Sequence, residues 1–467
     1  MSLNAPTGLE SSPPSHEVAV KGRLLSDLAA GGQAGLEDYL HRGGYATLSR
    51  ALADGAGEAL ADLAASGLRG RAGGGFPTAV KWAQVRRNTS PEKFFVCNAN
   101  TGQPGGGKEA LLIGLNPHAV IEAVALAASI VGAGVAFIHL GKSLAEEQRR
   151  LQDALVEATS RGCLGGSGHA LEIRIELSEG GYLAGEETAL LELLEGRAGR
   201  PRGKPAMPTR SGFQNLPTVV NNLETVLQAL FAIRYGPERF REVGTRFASG
   251  TLIYTVTGDV NRPGLYEMPL GTSLGSLIHD QAGGITGGRT LKAVLVGGTS
   301  GTALGPDRLD TPLDYDSLAG IGGSLGSGVI IVLSSASSMV GVARDLARFY
   351  YENSCGKCPP CKDGTRRAYY MLDNLDRIDE SATDWNIPEP LPPSKGIPLL
   401  LVNAVSAPRT SISYTDSGVG LDKIRLICTW YSTRGDCHHP AESSRMLQSL
   451  LDGFVEEFES ERVLPAE

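Results

Sequence analysis

Three cysteines stand two residues apart in "NSCGKCPPCKDGT", residues 353–365, as Cys355, Cys358 and Cys361. The spacing puts three sulfurs around one small volume, which suits a cubane iron–sulfur cluster whose corner irons each take one thiolate. Zinc is the alternative, although zinc sites more often pair their ligands as two separated knuckles; a redox dithiol needs only two of the three. A fourth ligand has to come from downstream, where only Cys428 and Cys437 remain. Cys428 follows the apolar run "KIRLI" and reads as a small buried hydrophobe, whereas Cys437 stands in a loop just before the last helix and is the candidate. His438 and His439 beside it could ligate, but histidines next to a ligand more often support it or face water.

Two glycine-rich turns also carry chemistry. "SGLRGRAGGGFPTAVKW", residues 66–82, is a basic loop followed by a helix expected from near Pro77 and Thr78. Its bare backbone N–H groups, the helix N-terminus and Arg69, Arg71 and Lys81 together suit a phosphate or pyrophosphate. It does not spell G-x-G-x-x-G and follows a helical segment, so the Rossmann fingerprint is absent; taken alone, the loop is equally well a flexible turn. The second turn, "GGYLAGEETALLELLEGRAGRPRGKPAMP", opens a helix with Glu186 and Glu187 in its first turn, a pattern that helix-dipole complementation also explains.

These motifs need elements to hold them. With 467 residues, two to four domains are expected. A net charge of -8 argues against nucleic acid as a partner, and seven cysteines with this spacing favour metal binding in a reducing compartment over disulfides. Residues 1–20 are polar and Pro/Ser-rich, without a signal-peptide pattern, and read as disordered. Residues 35–67 read as two short amphipathic helices, and residues 67–240 as alternating strands and helices of an α/β layer, with "KFFVCNA", "VAFIHL" and "LEIRIEL" as strands. The apolar stretch from His118 to Leu140 is long enough to cross a bilayer but reads better as a buried Ala-rich helix ending at Gly132 and then a strand, so no membrane insertion is expected. Residues 251–334 form a small α+β module; "GVARDLARFYYENS" is a helix leading into the cysteines, and "SSRMLQSLLDGFVEEFES" is a periodic terminal helix. A Pro-rich insertion lies near 381–427.

The two turns, "PTVVNNLETV" and "SCGKCPPCKDGT", in this order, resemble the NADH-binding flavoprotein subunit of respiratory complex I, of 51 kDa type, and its relatives in NAD-linked hydrogenases and formate dehydrogenases. The resemblance implies an α/β FMN-binding domain over 21–245, a ubiquitin-like module of soluble-ligand-binding type over 246–335, and a C-terminal all-α helical bundle with one [4Fe–4S] cluster over 336–467. It implies hydride transfer from NAD(P)H to FMN, then single-electron transfer through the cluster to partners, expected as a small [2Fe–2S] subunit and a larger iron–sulfur subunit. The location expected is cytoplasmic, at most peripheral to a membrane complex. Residue by residue, Gly70, Gly73, Gly74, Lys81 and Asn98 match the first flavin loop and the strand after it. Asn100 falls on the acidic strand end; Tyr182, Gly185, Glu186 and Glu187 match the flavin and nucleotide turn, with Glu187 expected in catalysis, and Asn221, Asn222 and Thr225 match the second flavin loop. Phe76, Gln103, Glu187 and Lys204 are the nucleotide-site candidates, and Cys355, Cys358, Cys361 and Cys437 the cluster ligands.

The departures concentrate at the nucleotide. Asn100, Thr101 and Gln103 stand where the family has carboxylates, Gln84 and Met207 replace two phenylalanines, and the spacer before Cys437 is longer than the family's. A neutral Gln103 hydrogen-bonds ribose hydroxyls less strongly than a carboxylate but no longer repels a 2′-phosphate, for which Arg202 or Lys204 are possible partners. Relaxed specificity toward NADPH is one expectation. A relay or scaffold subunit that holds FMN and the cluster but no nucleotide is the other.

Overall fold

In the computed structural model, which describes residues 22–30, 35–100, 102–165, 171–178, 181–203, 207–375 and 419–461, the run "FFVCNA" forms β1 (Phe94–Ala99), almost wholly buried. A strand apolar on both faces needs cover on both. β2 (Val135–Gly141), β3 (Glu172–Ser178) and β4 (Thr218–Asn222) join it in a parallel sheet of order β3-β2-β1-β4. Phe94 and Val96 pack with Phe137, Leu190 and Val220 on one face; Phe95 and Cys97 pack under helices on the other.

The covering helix Pro117–Val131 has its signals in sequence: the Asn116 side chain accepts from the Ala119 N–H at 2.9 Å, Pro117 opens the first turn, and Gly132 ends it at φ 77°. It is buried nearly all round, which explains its apolar composition. No single helix among the described residues is long and apolar enough to cross a membrane.

The chain runs from β1 outward through β2 to β3, then returns to place β4 on the other side of β1. Connections therefore diverge above the carboxyl ends of β1 and β4, where Asn98 lies opposite Asn222. Such a switch point leaves a crevice for a ligand.

A second sheet follows: β5 (Thr251–Gly258), β6 (Gly264–Pro269), β7 (Leu291–Val296), β8 (Thr302–Leu304) and β9 (Val329–Ser334), in the order β6-β5-β9-β7-β8. β5 and β9 are parallel and the other pairs antiparallel, the arrangement of a ubiquitin-like module. Helices Met339–Glu352, Pro359–Asp373, Val419–Ser432 and His439–Gly453 then pack around Leu346, Met371, Ile424 and Leu447.

Three expectations change. Residues 36–66 form three helices, because Gly55 at φ 95° breaks Ala46–Asp54 from Ala56–Ser66. The terminal helix divides at Phe454 into His439–Gly453 and Val455–Glu461. The insertion placed at 381–427 ends sooner, since helix Val419–Ser432 already belongs to the bundle; the rest of that segment and residues 1–20 lie outside the described residues.

Buried charge joins the sheet domain to the β-grasp module. The Arg71 guanidinium, fully buried, donates to the carbonyls of Ser249 at 2.7 Å, Thr251 at 2.9 Å and Arg69 at 2.8 Å. Lys108 pairs with Glu224 at 2.6 Å and donates to the Ser327 carbonyl at 2.8 Å, while Glu224 also accepts from the Ile253 N–H at 2.9 Å. Removing one member of a buried pair strands the other. Glu224→Gln is expected to lower stability by about 3–5 kcal/mol, and the double variant Lys108→Met/Glu224→Gln by less than the sum of the singles. Urea midpoints of the four proteins measure this; additive losses would mean that the two charges are not coupled.

Candidate functional site

A cavity of about 730 Å³ opens at the switch point. Such a volume suits a cofactor-sized ligand. Its floor is the two strand ends. Asn221 receives the Trp82 indole N–H at 2.7 Å on its carbonyl oxygen, which leaves its amide N–H₂ to donate. Asn222 caps helix Leu223–Tyr235 by accepting from the Glu224 and Thr225 N–H groups, and the Thr225 hydroxyl accepts from the Arg71 N–H at 2.8 Å. The glycine loop is thereby tied to the first turn of helix Leu223–Tyr235.

One wall is the acidic turn. Asn98 donates to the Gly185 carbonyl at 2.9 Å and Asn100 to that of Gly181 at 3.3 Å, which fixes the turn over β1. Glu186 caps helix Glu187–Leu194, its Oε2 accepting from Thr188 N–H at 3.0 Å and Ala189 N–H at 2.8 Å; Oε1 carries neither bond. Lys81 reaches across to Glu187 at 2.7 Å and to the Val220 carbonyl at 2.8 Å. Gly102 has to be glycine here, because a Cβ would stand 2.5 Å from the Tyr182 Cα.

Most of the residues singled out in the sequence meet at this cavity: Gly70, Gly74, Phe76 and Lys81 from the first loop, Asn98, Asn100 and Gln103 from the strand end. Tyr182, Gly185, Glu186 and Glu187 line it from the acidic turn, and Asn221, Asn222 and Thr225 from the second loop. Gly73 does not line it; at φ 112° its backbone lies against Gly326 of the β-grasp module. Lys204 and Thr101 lie outside the described residues.

The expected phosphate cations are a correction. Arg71 reaches the cavity wall, but its guanidinium is consumed by carbonyls, and Arg69 donates to the Gly75 carbonyl at 2.7 Å and Asp316 at 3.1 Å. Arg202 pairs with Glu192 and Glu195, both at 2.5 Å, and donates to the Gly212 carbonyl. Hydrogen bonding from Arg197, with Arg202 adding to it, holds the Glu192 carboxyl down at about 2. The arginines brace loops and Lys81 is itself held by Glu187 and the Val220 carbonyl, which leaves backbone N–H groups as the uncommitted donors for a phosphate.

Three charged cavity residues were missed. Lys108, Glu109 and Glu442 all line it. "GGGK" before helix Lys108–Leu115 was a signal for the first, since glycines ending in a lysine at a helix start are a pattern that suits an anion, although here the ammonium is spent on Glu224 and the Ser327 carbonyl. Nothing in the spacing marked Glu442.

The cavity ends at the cysteines. Cys437 lines it, with His438 and His439. The Asp436 N–H donates to the Cys358 sulfur at 3.4 Å and its carboxylate pairs with Lys357 at 2.9 Å, so the two cysteine loops are laced together. Burial pushes the Cys361 thiol up to about 11, with Cys358 and Cys355 adding to it, and the Cys437 thiol up to about 12, with Cys361 and Cys355 among the contributing charges. The four sulfurs thus share one electrostatic neighbourhood. Yet among the described residues no three His, Cys, Asp or Glu groups converge as they would on one metal ion. A cubane attaches its four thiolates to four separate irons, so its ligands need not converge on one point. Cys428 is fully buried in helix Val419–Ser432 and receives the Tyr431 hydroxyl at 3.9 Å, and His439 is buried with Nε2 on the Tyr350 carbonyl at 2.9 Å.

Comparison with known proteins gives the same three units. Residues 63–230 match the Nuo51 FMN-binding domain, 253–302 the SLBB domain, and 341–391 the NADH-ubiquinone oxidoreductase-F iron-sulfur binding region. The NADH-quinone oxidoreductase F 2 subunit of Rhizobium meliloti (strain 1021) is 38% identical over 334 residues, 70% of this chain and 79% of that protein. The chain belongs to this family of NADH-quinone oxidoreductase flavoprotein subunits. The NADP-reducing hydrogenase subunit HndC of Solidesulfovibrio fructosivorans is likewise 38% identical, over 73% of this chain and 70% of its own. An NAD+-reducing [NiFe]-hydrogenase in the H2-reduced state superposes with a TM-score of 0.75 at 29% identity, covering 94% of this chain and 68% of that one. The architecture expected from sequence, an α/β FMN-binding domain, a ubiquitin-like module and a helical iron–sulfur region, is the one found.

Cys437→Ala is expected to abolish the visible absorbance of a [4Fe–4S] cluster or leave a three-iron species, whereas Cys428→Ala retains it and loses only stability. Absorbance and paramagnetic resonance spectra with iron counts decide; the reverse pattern would make Cys428 the fourth ligand.

Proposed function

We propose that this chain is the flavoprotein subunit of a larger redox complex, accepting hydride from NAD(P)H at FMN and sending electrons singly to one [4Fe–4S] cluster on Cys355, Cys358, Cys361 and Cys437. The observation that carries this reading is a cavity lined both by the flavin-turn residues and by Cys437. FMN, when bound, supplies the conversion of a two-electron donor into single electrons; the protein supplies orientation and electrostatics.

In this reading the glycine loop and the capped N-terminus of helix Leu223–Tyr235 hold the phosphate, and the Asn221 amide, oriented by Trp82, donates to the cofactor. Glu187, held by Lys81, stands where the nicotinamide would enter and is the residue assigned to catalysis, as a group that positions the incoming ring. Phe76 and Met207, both about half exposed, flank the entrance. Water is excluded on the far side by the β-grasp module, whose Ser300, Ser327 and Val329 close the cavity. Partners would be a small [2Fe–2S] subunit and a larger iron–sulfur subunit, with the assembly cytoplasmic or peripheral to a membrane.

The donor end supports weak discrimination between NADH and NADPH. Gln103 donates its amide to the Ser327 hydroxyl and faces Thr299 with its carbonyl, so a neutral group clasped by hydroxyls lies where the family carries a carboxylate. No fixed negative charge on that side chain repels a 2′-phosphate. Gln103→Glu is expected to lower NADPH-driven flavin reduction by roughly tenfold, about 1.4 kcal/mol, with a smaller change for NADH. Stopped-flow bleaching of the flavin band with each nucleotide measures this. If neither nucleotide bleaches the wild-type flavin while dithionite does, the dehydrogenase reading gives way to a relay subunit.

A further inference from the structure

Hydride arrival and electron departure have different proton needs, and a proton path through this cavity rests on the flavin reading proposed for it. A hydride brings two electrons and one proton; complete reduction of the ring takes one proton more, and two protons leave once both electrons have gone singly to the cluster. The cavity therefore needs a group that meets both the flavin turn and solvent.

Glu442 has that position. It lies in the first turn of helix His439–Gly453, five residues after Cys437, and lines the cavity beside Tyr182. The Tyr182 hydroxyl donates to its Oε2 at 3.2 Å, which connects it to the turn that carries Glu186 and Glu187. It has no ion-pair partner among the described residues: Arg445, three residues on, spends its guanidinium on the carbonyls of Ser300 at 2.7 Å and Gly301 at 3.2 Å. His438, exposed and also on the cavity wall, marks the edge where water reaches the carboxyl. Other candidates fail on one side. Glu109 lines the cavity but is only 5% exposed and is held by Asn222 at 3.3 Å, whereas Glu442 is partly exposed. His439 is 2% exposed with Nε2 committed to Tyr350.

We infer that Glu442 is the proton carrier of this cavity. As hydride leaves the nicotinamide, the Glu442 O–H bond breaks and its proton goes to the flavin ring, leaving a carboxylate. As the two electrons pass to the cluster, the carboxylate accepts the first released proton, gives it to water at the His438 edge, and keeps the second, which restores the acid for the next hydride. The environment suits a carboxyl that is protonated when needed. Burial raises its pKa, opposed by His438, by Arg445 and by the Tyr182 hydrogen bond, and Tyr350 from helix Met339–Glu352 is the other titratable group facing it.

The test uses the full-length holoprotein reconstituted with FMN and its cluster. Its first readout is the redox-difference infrared spectrum. Wild type is expected to give a protonated-carboxyl C=O band that changes between the oxidised and reduced flavin; Glu442→Gln loses it, Glu442→Asp keeps it at a shifted frequency, and Tyr182→Phe shifts it without removing it. The second readout is the pH profile of flavin reduction: Glu442→Gln is expected to be about tenfold slower at neutral pH, with the carboxyl-dependent limb gone and partial rescue by added acetate. A band that persists in Glu442→Gln, or an unchanged pH profile, overturns the inference while leaving the flavin reading intact. Should Glu442→Gln fail to fold, an unshifted band in Tyr182→Phe overturns it equally. A wild-type protein that takes up iron but no FMN overturns the flavin reading itself, and this inference with it.

Discussion

A guanidinium with no water on it holds the molecule's two sheets together. Arg71 sits in the middle of a glycine loop, the most permissive backbone in the chain, and its donors are spent on carbonyls of the strand-entry segment 249–251 and of the loop itself. Burying such a charge without partners would be prohibitive, so the bonds are obligatory. The loop therefore takes one shape only when the β-grasp module is docked. Lys108 and Glu224 repeat the device a few residues away and fix the module against the first turn of helix Leu223–Tyr235. Because cavity walls come from both sides of this junction, the ligand site exists only as a consequence of interdomain packing, and substitutions far from any ligand contact can close or loosen it.

The switch point of the parallel sheet and the N-termini of two helices face the same space, which puts backbone donors where a phosphate is wanted without any free arginine. This explains why basic residues near the glycine loop misled the sequence reading. Arg69, Arg71 and Arg202 have the composition of an anion site and the geometry of braces. Composition cannot distinguish a cation facing a ligand from one facing a carbonyl; for Arg71 the deciding partners, Ser249 and Thr251, come from 178 and 180 residues away, while for Arg202 the partner Glu192 stood in the same stretch and only the fold shows that the two meet.

What was legible had local causes. Cysteine spacing, the Ala-rich helix ending at Gly132, and the Glu186 turn each encode their geometry within a few residues, and the order of motifs carried the family resemblance. What was not legible depended on contacts between elements distant in sequence. Glu442 reaches the cavity because helix His439–Gly453 packs against helices Met339–Glu352 and Val419–Ser432, a bundle geometry with no counterpart in the spacing around Cys437. The break at Gly55 is a different case. Two helices with glycine stops were expected, but the segment carries Gly43, Gly44, Gly55 and Gly57, and composition did not say that both the 43–44 pair and Gly55 divide it.

The cysteine site has a consequence for how the molecule is assembled. Burial raises the Cys361 and Cys437 thiols to about 11 and about 12, so at neutral pH these two metal-free sulfurs hold their protons. Iron has to displace those protons, and cluster insertion is therefore favoured by rising pH and by the positive charge of the irons themselves. In a small metal-bound module, such a site would leave the metal-free chain unfolded. Here the bundle has its own apolar core, with Leu346, Met371, Ile424, Leu447 and Leu450 all buried, so the helices can stand before the cluster arrives. The cluster's ordering effect then falls on the loops 353–358 and 434–438, which are laced by Lys357 and Asp436 at the surface and end at the flavin cavity. Loss of the cluster would loosen the cavity wall formed by Cys437, His438 and His439 while leaving the fold standing, so cluster occupancy and flavin retention should be coupled through Cys437 and the helix that begins beside it.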